Sequence, residues 1–259
     1  MKEKKRISEV GMRDALNFDT LSEKISAEKY FVFSKSDTAN FMGAFNDDDW
    51  NIFRDSWNDL CLDEHMKDNG KYRFRRHATF SSLASSSIWY QEPDQPHYQS
   101  VDYNNLNGGV ERYFKTFKKE TVKNKIFKNV MDFLVKLFSQ MKPICSWHIE
   151  AHQFRIYADI NKHSSPTPEG IHRDGVNFVL MLFVDRYNIF GGETSIYDSN
   201  KKLIGKYIFS EPTELVIVDD ENIFHGVSPI YKENMDDIGY RDMLVITFKD
   251  KNNEIGDES

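Results

Sequence analysis

Residues 170–197 read GIHRDGVNFVLMLFVDRYNIFGGETSIY, and this stretch decides the fold. Its apolar run at 176–184, interrupted by a single asparagine, predicts a strand buried in the core. Immediately before the run stand His172 and Asp174, and their i, i+2 spacing sends both side chains to one side of an extended chain. The stretch therefore predicts a core strand with two metal-capable side chains at its entrance.

Two further residues downstream extend this pattern. His225 lies in NIFHGVSP and Arg241 in YRDMLVITF, each beside an apolar segment that predicts a strand. Alone, an H-x-D triplet is commonly a capped turn, and a single histidine is commonly a structural side chain. Together, His172, Asp174 and His225 supply two imidazoles and one carboxylate, which is the facial ligand set of non-haem Fe(II).

Composition limits the class of protein. The net charge of −7 over 259 residues argues against nucleic acid as the main partner, because phosphate contacts require a basic face. The longest apolar runs fall short of the roughly 18 residues that cross a bilayer, so no membrane span is expected. The two cysteines are far apart, and the N-terminus lacks the apolar core of a signal peptide, which predicts a cytoplasmic protein.

The order of elements predicts an α+β fold. Residues 1–70 form a helical N-terminal flank, and residues 71–250 form the main domain, which includes a long amphipathic helix at 111–140. Residues 251–259 are highly charged and are expected to be a disordered tail. Helices followed by seven or eight short strands are typical of a jelly-roll or cupin-like sandwich, in which a metal site sits inside one mouth.

Two segments ahead of the helix bear on a binding pocket. Arg73 and Arg75 share one face of a predicted strand, where they would hold a substrate carboxylate if they face a pocket. If they face solvent, they form an ordinary charged edge. Residues 91–109 are irregular and rich in proline and asparagine, which is typical of an active-site lid or of a plain connection.

The motifs HRD, GGE, FHGVSP and YRDMLVITF resemble those of the Fe(II)/2-oxoglutarate-dependent dioxygenases. The resemblance is narrower to the bacterial branch of free amino-acid hydroxylases that contains L-isoleucine 4-hydroxylase. That branch shows an arginine-rich strand, a lid ending in paired glycines ahead of an arginine, and an HQ-x-R strand, which are similar to residues 73–76, 103–112 and 152–155 here. The resemblance covers about residues 70–250.

This resemblance implies a double-stranded β-helix core with flanking helices. It implies that His172, Asp174 and His225 are catalytic and hold Fe(II), with 2-oxoglutarate and O2 as cosubstrates. Arg241 would bind the distal carboxylate of 2-oxoglutarate, and Thr247, on the same strand face, would add a hydroxyl contact. Succinate and CO2 would be the coproducts.

The branch also implies the primary substrate, a free L-amino acid hydroxylated at an sp3 carbon. Its carboxylate needs a cation, for which Arg155, Gln153 and Arg75 are candidates, either directly or in support. Its ammonium needs an acceptor, for which Asp102 in the lid is a candidate. For Arg155 an internal ion pair is an equally good interpretation.

Three other functions are compatible with parts of the pattern. A peptide or protein hydroxylase of the same superfamily would need an open groove, which a lid at 91–109 opposes. A non-catalytic cupin-like binding module would leave Arg241 without a purpose. A zinc hydrolase would use the same ligands but needs a general base, for which Glu193 is the nearby candidate.

Overall fold

A computed structural model describes residues 16–104, 106–158, 164–234 and 237–252. No helix in these ranges is both long and apolar enough to cross a membrane. The predicted tail at 251–259 lies, except for residues 251–252, outside the described part of the chain. The helices are α1 (Phe18–Glu28), α2 (Lys35–Met42), α3 (Asp47–Asp55), α4 (Lys119–Lys123) and α5 (Lys125–Met141), with a short 3-10 helix at Ser56–Asp59 after α3.

The strands outnumber the helices and form the core of the fold. They are β1 (Tyr30–Phe33), β2 (Cys61–Leu62), β3 (Arg73–Ser82), β4 (Trp89–Gln91), β5 (Trp147–Tyr157), β6 (Phe178–Tyr187), β7 (Ile189–Gly191), β8 (Thr194–Tyr197), β9 (Leu203–Tyr207), β10 (Leu215–Asp219), β11 (Phe224–Val227), β12 (Ile230–Lys232) and β13 (Tyr240–Asp250).

One large antiparallel sheet has the order β1-β10-β6-β13-β5-β3-β2, with β4 added beside β3. Two small sheets, β11-β8-β9 and β12-β7, complete the strand arrangement. A cluster of buried side chains from β6, β10 and β13 packs against Ile196 of β8, so that the large and the three-stranded sheets face each other across an apolar layer. This arrangement confirms the predicted α+β class and the double-stranded β-helix core.

The helices cover the opposite face of the large sheet. The helix α5 buries one side, and its Phe138 stacks on Phe178 of β6 with ring centroids 4.3 Å apart. The predicted single helix at 111–140 is shorter and divided, because Asn124 adopts an extended conformation and caps α5 by accepting a hydrogen bond from the Ile126 amide at 2.8 Å. Residues 111–118 precede the helices.

The predicted N-terminal flank contributes to this same core. Its strand β1 pairs with β10 at one edge of the large sheet, and β2 pairs with β3 near the other. Buried side chains of α1 and α3 join the helix-covered core, among them Leu21, Ile25 and Phe53. The segment is therefore helical with two added strands, and it packs as part of the sheet domain.

The two faces of β5 carry different chemistry. Its helix-covered face holds Gln153 and Arg155, whereas the other face borders a large internal cavity. The Gln153 amide donates to the Ser56 hydroxyl at 2.8 Å, and Arg155 donates two hydrogen bonds to Asp242 at 2.7 and 2.6 Å. The expectation that Gln153 and Arg155 contact a substrate is therefore corrected, because alternation along the strand points both side chains away from the cavity.

We expect Arg155→Met to lower the free energy of unfolding by about 3–5 kcal/mol, since it leaves the buried Asp242 carboxylate without its cation. Burial already raises the pKa of Asp242 to about 7 against the opposing effect of Arg155. Denaturant unfolding measures the loss, and Arg54→Met, at a side chain 39% exposed, is the control. Unchanged stability combined with a weaker substrate affinity would contradict the structural role.

Candidate active site

Three side chains converge where the loop before β6 meets β11. The Nε2 atom of His172 lies 3.6 Å from Asp174 Oδ1, and the Nε2 atom of His225 lies 3.5 Å from Asp174 Oδ2. One donor atom from each residue lies within 4.8 Å of the others, so the three can share one ion. The structure thus brings together all three predicted ligands.

The main chain holds the two histidines together. His172 and His225 form an isolated antiparallel bridge, in which each amide donates to the other's carbonyl at 2.9 Å. The Nδ1 atom of His172 lies 3.0 Å from the Gly170 carbonyl, which directs Nε2 toward Asp174. The H-x-D segment was predicted as a strand entrance, but it is a loop, and its geometry comes from this bridge as well as from i, i+2 spacing.

Asp220, which the sequence analysis missed, fixes the other side of this loop. Its buried carboxylate accepts hydrogen bonds from the amides of Asp174, Gly175 and Val176 at 3.0, 2.8 and 3.2 Å. Its Oδ1 also lies 3.8 Å from Nδ1 of His225. Asp220 follows an apolar strand as one of two consecutive aspartates, and nothing in that pattern shows that three amides converge on it.

The electrostatics of the group favour a bound cation. Burial opposes protonation of His172, yet the hydrogen bond and charge of Asp174 raise its pKa to about 9. Burial, together with the neighbouring His172, lowers the pKa of His225 to about 4. Burial and the charge of Asp174 raise the pKa of Asp220 to about 7. One imidazole thus holds a proton that a metal ion would displace.

The predicted lid lies directly over this group. The side-chain amide of Gln99 donates to the carboxylate and the carbonyl of Asp174, both at 3.2 Å, and Asn104 donates to Gln99 at 3.0 Å. Gly175 has a φ of +79°, and any Cβ there would collide with the ring of Tyr103. The lid therefore contacts the group through the hydrogen bond from Gln99 to Asp174, and Tyr103 packs against the adjacent Gly175.

A single cavity of about 740 Å³ contains the group. It is bounded by the inner faces of β3, β5 and β13, by the lid, and by the loop that precedes β6. Arg73 and Arg75 line it, so these arginines face a pocket and not a solvent-exposed edge. Asp102 of the lid lines it as well.

Arg241 occupies the first position of the cavity face of β13. Its side chain is buried, and burial together with the nearby Arg186 lowers its pKa to about 9. Among the described residues it donates a long hydrogen bond, from Nη2 to the Thr194 hydroxyl at 3.5 Å. Gly192 approaches closely, since a Cβ there would lie 3.1 Å from Arg241 Cδ. A buried cation so weakly paired is suited to an anion.

The predicted contribution of Thr247 to the same anion site is corrected. Thr247 does face the cavity, but it lies about 20 Å from Arg241 along the strand at about 3.3 Å per residue. It pairs in register with Glu150, at the other end of the cavity. The hydroxyl beside Arg241 is that of Thr194, on a different sheet, and sequence spacing does not identify it.

A second group of metal-capable side chains projects from β3, β5 and the lid. It consists of His77, His97, Glu150 and His152, whose donor atoms also lie within 4.8 Å of one another. His97 Nδ1 lies 2.6 Å from Glu150, and Arg75 Nη2 lies 2.6 Å from His152 Nδ1. Burial and the charge of Arg75 hold the pKa of His152 well below its ordinary value.

Two more charged residues of the cavity were not predicted as substrate contacts. Arg112 follows the paired glycines of the lid, and Glu169 precedes the H-x-D segment. Arg112 is buried, and the side chain of Glu169 is 10% exposed. Their positions next to predicted motifs were the available signal, but neither lies on a strand whose alternation would assign it a direction.

The chain is similar to known proteins over most of its length. Its residues 54–247 match the 2OG-Fe dioxygenase family. L-isoleucine-4-hydroxylase of Bacillus thuringiensis is 24% identical over 189 residues, which are 70% of this chain and 77% of that protein. The crystal structure of a BsmA homologue from Methylobium petroleophilum PM1 superposes with a TM-score of 0.84 at 29% identity, covering 93% of this chain and 96% of the other.

The structure of IDO from Bacillus thuringiensis gives a TM-score of 0.76 at 18% identity, with coverage of 94% and 100%, and supports the fold alone. The family match covers most of the chain, including the three converging residues and Arg241. Fe(II) and 2-oxoglutarate are the cofactor and cosubstrate of that family. The chain therefore belongs to the 2OG-Fe dioxygenase family and is an enzyme.

Proposed function

We propose that this dioxygenase hydroxylates an sp3 carbon of a free L-amino acid, with Fe(II) held by His172, Asp174 and His225. The observation that carries the proposal is the pairing, in one cavity, of an open two-histidine, one-carboxylate group with the buried and weakly paired cation of Arg241. The reaction consumes 2-oxoglutarate and O2 and releases succinate and CO2.

The residues present fit Fe(II). Two imidazole nitrogens and one carboxylate oxygen converge, and three protein ligands leave coordination positions open for cosubstrates. Bound iron supplies O2 activation and oxidation of an unactivated C–H bond. The protein's part is to fix the ligands through the His172–His225 bridge and Asp220, and to cover them with the lid residue Gln99.

The second group of metal-capable side chains is less suited to an ion. Arg75 donates toward His152 Nδ1 at 2.6 Å and occupies that nitrogen. Its charge also opposes a nearby divalent cation. Glu150 in turn is engaged by His97 at 2.6 Å. We infer that this group is a polar wall of the cavity, in which the negative charge of Glu150 offsets the positive charges of Arg75 and Arg112.

At the other end of the cosubstrate site, Arg241 is placed to pair with the distal carboxylate of 2-oxoglutarate. A guanidinium binds a carboxylate through two parallel hydrogen bonds, and burial strengthens such a pair. Thr194 is positioned to add a hydroxyl contact in place of Thr247. A non-catalytic binding module would have no use for this buried cation.

The proposed substrate class has two supports. The relative named L-isoleucine-4-hydroxylase is 24% identical to this chain over 189 residues. The lid, through Gln99 and Tyr103, covers the metal-capable group. An extended peptide would need an open groove there. A hydrolase with Glu193 as base is disfavoured, because the Glu193 carboxylate pairs with Lys206 at 2.5 Å.

We expect His172→Ala, Asp174→Ala and His225→Ala each to abolish both stoichiometric Fe(II) binding and substrate-dependent succinate formation. Each removes one of only three ligands, and metal analysis with a succinate assay measures both losses. His152→Ala is the control for the second group and should retain one iron per chain. Iron retained in His172→Ala but lost in His152→Ala would reassign the metal site.

Replacing Arg241 with Ala should raise the KM for 2-oxoglutarate about 10- to 100-fold, because a charge-assisted pair contributes about 1.5–3 kcal/mol. The KM for the primary substrate should change by less than about threefold, since Arg241 lies at the cosubstrate end. Arg54→Ala removes the same charge from a side chain that is 39% exposed and lies outside the cavity, and it serves as the control. Equal changes in both KM values would contradict the assignment.

The substrate class is tested with a panel of the twenty L-amino acids. We expect at least one to stimulate 2-oxoglutarate turnover and to yield a product heavier by one oxygen atom in mass spectrometry. Stimulated turnover without such a product would indicate uncoupled oxidation. If no amino acid is turned over, the free amino-acid assignment is wrong and peptide substrates take its place.

A further inference from the structure

Two oppositely charged side chains in the cavity have buried polar atoms without a hydrogen-bond partner in the described part of the chain. We propose that Arg112 and Glu169 together recognise the zwitterionic backbone of an α-amino acid, with Arg112 binding the carboxylate and Glu169 the ammonium group. This inference rests on the proposed function and assigns the substrate contacts within it.

Arg112 is a buried cation of the cavity that has hydrogen-bond donors without a partner in the described part of the chain. Its side chain is 2% exposed, and its Nε and Nη2 atoms have no hydrogen-bond partner among the described residues. Burial lowers its pKa, as does the neighbouring Arg73. Its main chain is held by two hydrogen bonds with His97, at 2.9 and 3.0 Å. The residue is thus held by its main chain, and its buried guanidinium has two free donors, Nε and Nη2, which can bind the two oxygens of a carboxylate.

The other two arginines at this end of the cavity, Arg73 and Arg75, are already engaged. Arg73 donates to Asp63 through two nitrogens at 2.8 Å. Arg75 lies 3.6 Å from Asp63 and 2.6 Å from His152, and its guanidinium stacks 3.7 Å from the ring centre of Phe114. We therefore propose that Arg112, and not the sequence-based candidate Arg75, binds the substrate carboxylate. Arg75 supports it as a neighbouring positive charge.

Glu169 is the matching acceptor. Its Oε2 atom is buried without a hydrogen-bond partner among the described residues, and its Oε1 atom lies 3.5 Å from Nε2 of His172. Its negative charge acts on Arg112 and raises the pKa of that guanidinium against burial, so the two groups lie within electrostatic range. Asp102, the earlier candidate for the ammonium group, is exposed, which weakens any ion pair it could form.

Charge balance favours a zwitterion over a simple anion or cation. The arginines Arg73, Arg75 and Arg112 face the carboxylates Asp63, Glu150 and Glu169 around one end of the cavity. A ligand that carries both charges adds no net charge to this enclosed site, whereas a monovalent ion would leave one charge uncompensated. Acylation of the ammonium or amidation of the carboxylate would remove one contact, which excludes residues within a peptide chain.

The test measures binding to the Fe(II)- and 2-oxoglutarate-loaded enzyme without oxygen, by calorimetry. The probes are L-isoleucine, its analogue without the amino group (3-methylpentanoate) and its analogue without the carboxylate (2-methylbutylamine). If the panel selects another amino acid, that amino acid and its two corresponding analogues are used. The variants are Arg112→Gln and Glu169→Gln, with Arg54→Gln and the exposed Glu120→Gln as matched controls outside the cavity.

We expect a crossed pattern of losses. Arg112→Gln should weaken the amino acid and the carboxylate analogue by about 10- to 100-fold and leave the amine analogue within about threefold, and Glu169→Gln should do the reverse. Iron content and 2-oxoglutarate affinity, measured in parallel, should remain those of the wild type, which separates loss of contact from misfolding.

The outcomes separate the two proposals. If an amino acid is turned over but either variant weakens both analogues equally, or leaves the amino acid unaffected, the Arg112–Glu169 site is wrong and the hydroxylase assignment stands. If the crossed pattern appears but no amino acid is turned over, the binding site stands and the hydroxylase assignment falls. Absence of both binding and turnover overturns both.

Discussion

The carboxylate of Asp220 is the constraint on which the site depends. It accepts three consecutive backbone amides at the end of the H-x-D loop, and this loop carries a metal-capable carboxylate although it lies outside any regular strand. A loop of this kind would ordinarily sample many conformations, and fixing each residue costs about 1–2 kcal/mol of entropy. Because Asp220 is itself placed by the end of β10 in the large sheet, the rigidity of that sheet is transmitted to the loop.

The register of the large sheet then arranges the cavity from end to end. Along β13 the inward-facing side chains begin with Arg241, continue through apolar residues and end near Thr247 beside Glu150. The proposed anion site at Arg241 and the polar wall with Glu150 are thereby kept apart, and the apolar middle separates them. The strands β3, β5 and β13 pair side by side. A shift of one residue in the register of any of them would turn its inward-facing side chains to the other face of the sheet.

Sequence patterns predicted the parts of this arrangement that depend on short spacing. The H-x-D pair, His225, Arg241 and the alternation of Arg73 with Arg75 all follow from periodicity and motif, and the structure places them in one cavity. Alternation shows which side chains share a face but not which face is covered. It therefore could not decide between a substrate contact of Gln153 and Arg155 and the internal ion pair that Arg155 makes with Asp242. The predicted contact of Thr247 with the cosubstrate was wrong for a different reason, because two residues on one face of a strand can still lie far apart along it.

Other residues lay beyond what a single sequence can reveal. Asp220, Gln99 and Thr194 act through loops or through a second sheet, and their partners are 46 to 75 residues away in the chain, so no local pattern connects them. The strand β1 lies within the flank that was predicted to be helical. Its four residues follow α1 after a single left-handed residue, Lys29, and their pairing with β10 overrides the local preference.

The main-chain bridge between His172 and His225 has a consequence for how the enzyme handles iron. Since backbone hydrogen bonds already hold the two imidazoles together, the protein is expected to fold without its metal, unlike small domains that need an ion to assemble. Little conformational freedom then remains to be lost when an ion enters. A molecule whose iron is oxidised and released would keep the shape of its site and could be reloaded without refolding.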